Sequence, residues 1–276
     1  MSALKLDHVR VKRLRRLVGR RSSRLEERAF VAEGAKTVAE ALRAGAPVEA
    51  LYVADGTVDP VIDAALARGV RVYDLSPGVL ERVADTTTPQ PIMAVIAMVD
   101  LRLEMLSEPL AIGGFVIVGV DLRDPGNAGT VIRSAEAAGA AGVVLCEGSV
   151  EATNPKTVRA SAGSLFHVPV IAGGAPQDVL GWLGSRGVRR WATSSHAADA
   201  VRYDDADLRG PCAIVIGNEA HGLPANTVDH VDGFVTIPMR GRSESLNVGM
   251  ATAVLCFEAS RQRSRSASPT PVAFGT

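Results

Sequence analysis

Three polar stretches of this chain carry residue types that can bind and orient a ligand. The last of them, Ile237–Ala253, reads IPMRGRSESLNVGMATA. Its proline has no N–H for a ladder, so the strand Val235–Ile237 should stop there. A polar turn, Arg240–Glu244, leads to Ser245-Leu246-Asn247, which opens a helix of small residues. Ser245 is the predicted N-cap, its hydroxyl accepting from a free N–H of the first turn. Val248, Ala251, Thr252 and Leu255 recur at helical spacing, which makes one face apolar. Hydroxyl and amide groups at such a turn can hold a polar ligand against open backbone N–H groups. Taken alone, the segment reads more simply as a capped core helix after a strand.

Two further stretches alter that balance. Asp121–Gly139 reads DLRDPGNAGTVIRSAEAAG, and Ile214–Leu223 reads IVIGNEAHGL. DPGNAGT contains neither GxGxxG nor GxxxxGK[ST], so dinucleotide and P-loop chemistry are excluded at this level. Arg133 follows in a helix predicted from Thr130, where a guanidinium can clamp a phosphate through two parallel hydrogen bonds. Gly217 follows a buried strand and allows close backbone approach, with Asn218 and Glu219 directly after it. His221 reads as an exposed loop residue.

In this order the three stretches resemble the signature motifs of the SpoU/TrmH family, S-adenosylmethionine-dependent RNA ribose 2′-O-methyltransferases of the SPOUT class. The resemblance covers roughly residues 115–260. It implies a catalytic cleft built from Asn127, Arg133, Glu219, Ser245 and Asn247. It implies cofactor contacts at Gly217, Ile237 and Leu246, with Thr193, Ser194, Asn218 and Met239 lining the same pocket. The family's scheme has the arginine activate the 2′-hydroxyl. Because a guanidinium stays protonated, orientation of the hydroxyl and phosphate binding come first for Arg133 and proton acceptance second. The scheme requires no metal. The resemblance also implies a C-terminal trefoil knot and a homodimer.

Those residues need elements to hold them. The length of 276 residues allows two domains. Hydrophobic residues make up 47% and aromatics 4%, so the cores must be built mainly from Ala, Val, Leu and Ile. Val/Ile-rich runs alternating with Ala-rich helical runs predict α/β layering. Residues 28–99 follow a β-α-β-α-β-α-β order, and RLEERAFVAEG (Arg24–Gly34) resembles the start of the L30e-like RNA-binding domain that precedes many SpoU enzymes. Residues 1–99 are therefore one domain and residues 100–114 a linker. Residues 115–260 form the methyltransferase domain, a parallel sheet with helices on both faces. Its predicted elements include a helix over Asn154–Ala162 and a strand over His167–Ile171. The Arg-, Ser- and Pro-rich residues 261–276 are expected to be a disordered tail.

Formal net charge is +0, but its distribution is uneven. The predicted first helix, Met1–Arg24, carries Arg10, Lys12, Arg13, Arg16, Arg20, Arg21 and Arg24, which suits a polyanion. RNA is thus the expected partner, and the family resemblance, through the separate N-terminal domain, implies ribosomal RNA rather than tRNA. A catalytically silent RNA-binding protein and a small-molecule nucleotide enzyme are the readings from other classes. Cys146, Cys212 and Cys256 lie far apart in apolar runs and read as core residues in a reducing compartment. No run is long enough to span a bilayer and the N-terminus lacks a signal-peptide core, so the expected location is the cytoplasm.

Overall fold

The computed structural model describes residues 3–194 and 197–266. Among them the elements run α1 (Val9–Gly19), α2 (Arg21–Glu27), β1 (Ala29–Glu33), α3 (Ala35–Arg43), β2 (Val48–Ala54), α4 (Pro60–Ala67), β3 (Arg71–Leu75), α5 (Val79–Val83) and β4 (Ile92–Ala97). A 3₁₀ turn at Leu103–Leu106 then leads into α6 (Ser107–Ala111), β5 (Phe115–Gly119), α7 (Pro125–Ala137), β6 (Gly142–Leu145), α8 (Pro155–Ala160) and β7 (Val170–Ala172). The chain finishes with α9 (Pro176–Gly184), β8 (Arg189–Thr193), β9 (Val201–Arg202), β10 (Cys212–Ile216), α10 (Ala225–Val228), β11 (Gly233–Thr236) and α11 (Val248–Ser266). It divides into two units: Met1–Asp100 with Glu151–His167, and Leu101–Val150 with Val168–Thr276.

The first unit has a sheet in the order β1-β4-β2-β3, with β4 antiparallel to both neighbours and β2 parallel to β3. Successive side chains leave a strand on opposite faces. Val31, Tyr52 and Val95 accordingly join a core with α1 and α5, through Leu14, Leu17 and Leu80. Phe30, Leu51 and Ala94 join a second core with α3, α4 and α8, through Val38, Leu42, Ala65 and Val158.

The basic N-terminus forms two helices, because Arg20 adopts extended backbone (φ −130°, ψ 119°) between them. Arg24 was expected to face RNA, and here the structure corrects the expectation. Its side chain is buried, and its Nη1 donates to the carbonyls of Leu17 (2.9 Å) and Val18 (3.3 Å) near the end of α1. Its Nη2 pairs with Glu151. A cation there satisfies carbonyls that a helix end leaves open.

The excursion Glu151–His167 is a second correction, since the sequence reading kept it with the methyltransferase domain. Val158 is fully buried in the first unit, and Phe166 stacks on Phe30 with centroids 6.3 Å apart. Arg159 bridges Asp85 (2.6 Å) and Glu33 (3.2 Å).

In the second unit a seven-stranded sheet runs β7-β6-β5-β10-β8-β11-β9, every pair parallel. The middle strands FVIVG and CAIVI are buried at every position, as parallel strands covered on both faces must be. The expected linker contains the 3₁₀ turn and α6, and Leu106 and Leu110 pack into this unit's core. The expected tail is helical through Ser266, and residues 267–276 lie outside the described residues. Side-chain partners explain the extension. Arg261 pairs with Glu258 (2.7 Å), and Arg263 donates to the carbonyls of Gly113 (3.2 Å) and Gly210 (2.8 Å) while lying over the Phe115 ring. Among the described residues no helix is long and apolar enough to cross a membrane.

Two measurements follow from this packing. Glu151→Ala leaves the buried Arg24 guanidinium without its counter-charge and should lower unfolding free energy by about 3 kcal/mol, read from the urea midpoint. An unchanged midpoint would show that the pair contributes nothing. Burial pushes the Cys146 and Cys256 thiols up to about 12. Almost no thiolate therefore exists at pH 8, and both should react with a thiol reagent only once urea unfolds the chain.

Candidate active site

β5 and β10 are parallel neighbours in register from Phe115 with Cys212 to Gly119 with Ile216, so their carboxyl ends open at one edge. That edge is where open parallel sheets bind ligands. The loop leaving β5 starts α7 at Pro125, five residues before the predicted start. Asp124 is the N-cap, its Oδ1 accepting from the Asn127 N–H at 2.7 Å, with proline at the first helical position. Asn127 therefore sits in the first turn of a helix rather than in a loop.

The loop leaving β10 is a tight bridge. Asn218 and Gly222 exchange N–H to carbonyl bonds, each 2.9 Å long. A Cβ on Gly217 would stand 2.4 Å from the carbonyl carbon of Gly222, so only glycine fits there. The side-chain oxygen of Asn218 accepts from the N–H groups of Ala220 (2.9 Å) and His221 (3.1 Å). Its amide nitrogen donates to the Asp121 carbonyl (3.0 Å) and carboxylate (3.1 Å). The Asn218 side chain is thus engaged on both sides in holding the loop, where the sequence reading made it a cofactor contact. Asp121 sits in the left-handed region (φ 54°), uncommon for a residue with a Cβ. His221 is exposed.

This bridge presents Glu219 to α7. Glu219 Oε1 accepts from Asn127 Nδ2 (2.9 Å) and from the Asp124 N–H (3.3 Å). On its other side Asn127 Oδ1 accepts from Asn247 Nδ2 at 2.8 Å. Asn247 Oδ1 in turn accepts from the N–H groups of Gly249 (2.9 Å) and Met250 (3.4 Å). Asn247 thus caps α11, a role the sequence reading had assigned to Ser245. α11 lies against α7, and a Cβ on Gly249 would meet Thr130 Cγ2 at 2.9 Å.

Three of the five predicted catalytic residues, Asn127, Glu219 and Asn247, are therefore joined directly. Arg133 lies six residues beyond Asn127 on α7, exposed and without an ion pair among the described residues. Ser245 is exposed two residues before the cap and makes no hydrogen bond to the three. Sequence reasoning missed Asp121 and Asp124. The Asp-Pro pair is a cap-and-first-turn signature that could have revealed the second of these.

On the neighbouring strands, Thr193 pairs with Val235 at the ends of β8 and β11. Ser194 donates its N–H to the Val235 carbonyl (3.0 Å), and its Oγ accepts from the Ala197 N–H (3.0 Å). Ile237, Met239 and Leu246 are half-buried. Among the described residues, no backbone-to-backbone hydrogen bond involves residues 237–246.

The predicted RNA-facing cations separate into two groups. Arg13 is bridged to Glu27 and Glu49, both at 2.6 Å, and the Glu49 hydrogen bond raises its pKa above the ordinary arginine value. Arg10 lies over the Tyr73 ring, 4.9 Å from its centroid. Lys12, Arg16, Arg20 and Arg21 keep exposed heads, with Arg16 touching Glu27 (3.0 Å) and Arg21 near Glu151 (3.6 Å).

Residues 114–257 match the SpoU rRNA Methylase family, and residues 8–94 match the MRM3-like substrate binding domain. The chain belongs to the SpoU rRNA methylase family. It is 34% identical over 237 residues to the 23S rRNA (guanosine(2553)-2′-O)-methyltransferase RlmP of Bacillus subtilis, covering 86% of this chain and 90% of that one. It is 31% identical over 256 residues to a 23S rRNA (uridine(2479)-2′-O)-methyltransferase of Streptomyces viridochromogenes, covering 90% and 88%. The AdoMet-bound rRNA methyltransferase of Sinorhizobium meliloti superposes with a TM-score of 0.80 at 32% identity, covering 94% of this chain and 98% of that one.

Position 247 has two separable duties. Asn247→Ala should lose the α11 cap, at about 1 kcal/mol in thermal or urea unfolding. Asn247→Asp keeps the acceptor for the Gly249 and Met250 N–H groups but turns a carboxylate toward Asn127 Oδ1. It should unfold close to wild type and still lose most activity. Equal activity loss and equal destabilisation in both variants would show that capping is the residue's whole contribution.

Proposed function

We infer that the protein is an S-adenosylmethionine-dependent methyltransferase acting on a ribose 2′-hydroxyl in ribosomal RNA. The observation that carries this reading is the junction of Asn127, Glu219 and Asn247 at the carboxyl edge of a parallel sheet, in a chain of this family. The names of the relatives, two of them 23S rRNA 2′-O-methyltransferases, favour ribosomal RNA as the substrate.

The residues after β11 fit an adenine-bearing donor. Ile237, Met239 and Leu246 offer half-buried apolar surface, and among the described residues the backbone of 237–246 enters no backbone-to-backbone hydrogen bond, which suits it to reading a base edge. Gly217 lets the backbone after β10 come close, and Thr193 and Ser194 close the same edge of the sheet. The donor supplies a methyl group on a sulfonium cation, an electrophile that needs no further activation. The chain's own contribution is then position and alignment, which can be worth several orders of magnitude.

Arg133 is the residue assigned to the RNA. Its guanidinium binds a phosphate and turns the ribose hydroxyl toward the methyl group. Asn127 and Asn247 each keep a second amide hydrogen with which to hold a ribose or phosphate oxygen. Glu219 keeps its second carboxylate oxygen, the acceptor among these residues for the proton that the 2′-hydroxyl releases as its oxygen takes the methyl group. In the first unit, an L30e-like RNA-binding role falls to the exposed heads of Lys12, Arg16, Arg20 and Arg21. The reading includes the family's trefoil knot, a cytoplasmic location and a homodimer. The exposed Met250 and Phe257, seven residues apart on α11, are the apolar surface available for that dimer.

Ribosomal RNA from cells with and without the protein should differ at one 2′-O-methyl site. Arg133→Ala should reduce methylation of that site by at least a hundredfold while leaving S-adenosylmethionine affinity within about twofold by calorimetry. Wild-type turnover in that variant would remove the role given to Arg133. Absence of donor binding in the wild type, with or without RNA, would remove the whole reading.

A further inference from the structure

Arg123 lies between the two contacts that join the loops after β5 and β10. On one side Asp121 accepts from Asn218, and on the other the Asp124 N–H donates to Glu219. Its Nε donates to Asp121 Oδ1 at 2.9 Å, and the side chain is 74% exposed.

Arg–Asp pairs recur elsewhere in this unit, and their geometry separates Arg123 from the rest. Arg202 engages Asp204 through both Nε and Nη2, and Arg209 engages Asp207 in the same two-pronged way. Arg190 uses Nε and Nη2 on Asp232 and Nη1 on the Leu180 carbonyl. Those forks are closed by the protein itself. Arg123 uses Nε alone, and among the described residues neither terminal nitrogen has a partner. Its anchor is itself held in place. The Asp121 carboxylate accepts from the Asn218 amide, and Asn218 is tied into its own loop by two further bonds. A guanidinium clamped at Nε with both amino groups open is preorganised for two parallel bonds to a phosphate.

We propose that Arg123 is a further RNA contact of the active site, holding a backbone phosphate next to the target ribose beside Glu219. This rests on the methyltransferase reading and adds a residue to it. The Asp121–Asn218 bond then has a second consequence: it fixes the direction in which Arg123 presents its fork.

Filter binding of 23S rRNA transcribed in vitro, across a potassium chloride titration, tests the assignment. Arg123→Gln should weaken binding roughly fivefold at low salt and lower the log–log salt slope by about 0.7–0.9, the signature of one lost phosphate contact. S-adenosylmethionine affinity should be unchanged. Arg123→Lys keeps the charge without the fork, so its slope should match wild type while KM for RNA rises. Arg209→Gln, which removes an arginine already closed on Asp207, is the comparison and should bind as wild type does. If Arg123→Gln and Arg209→Gln are both indistinguishable from wild type while wild type methylates its target, the phosphate contact is overturned and the methyltransferase reading stands. If wild type neither methylates nor binds this RNA, the methyltransferase reading itself has failed.

Discussion

A side-chain amide has a donor end and an acceptor end, and the candidate active site depends on that asymmetry. The run from Glu219 through Asn127 and Asn247 to the start of α11 has one polarity only. A carboxylate at one end can only accept, and backbone N–H groups at the other can only donate. Turning either amide over would set oxygen against oxygen or hydrogen against hydrogen. Three segments far apart in sequence are therefore joined by bonds that cannot be rearranged singly. Whatever lies against the two amides meets hydrogens of known direction. Preorganised donors of this kind stabilise developing charge without reorganising during the reaction.

Close backbone approach holds that arrangement in place. Gly217 allows the β10 loop to fold onto Gly222, which in turn puts Glu219 over the first turn of α7. Gly249 lets α11 settle against Thr130, bringing its cap within reach of Asn127. Neither glycine contributes a polar atom from its side. Each permits a close approach on which the hydrogen bonds depend: a methyl group at position 217 would stand 2.4 Å from the Gly222 backbone, and one at position 249 would stand 2.9 Å from Thr130 Cγ2.

Much of this was legible in the order of residues. The buried strands around Phe115 and Cys212 declared themselves as unbroken apolar runs, and the helices at Pro60 and Pro176 by a proline followed by apolar spacing. The three hydrogen-bonded residues Asn127, Glu219 and Asn247 were each singled out by their motifs. The start of α7 was hidden because Gly126 and Gly129 are poor helix formers, and the packing of the helix outweighs their cost. The true cap of α11 was hidden because Ser245 and Asn247 are both good caps, and only contact with Asn127 decides between them. Arg24 looked like one more cation in a basic run. Its burial depends on Glu151, more than a hundred residues away, and no local pattern carries that information. The tail looked disordered by composition, yet Arg261 and Arg263 find partners that keep its first residues helical.

The passage of Glu151–His167 into the first unit also bears on how the chain is made. The sheet built from residues 29–97 leaves the ribosome well before α8 does, yet its second core is incomplete without Val158, and Arg24 and Glu33 wait for Glu151 and Arg159. The amino-terminal unit thus cannot mature as an autonomous piece during synthesis. It stays unfinished until about a third of the neighbouring unit has been translated, which ties the two units into a single biosynthetic event and works against their exchange as independent modules in evolution.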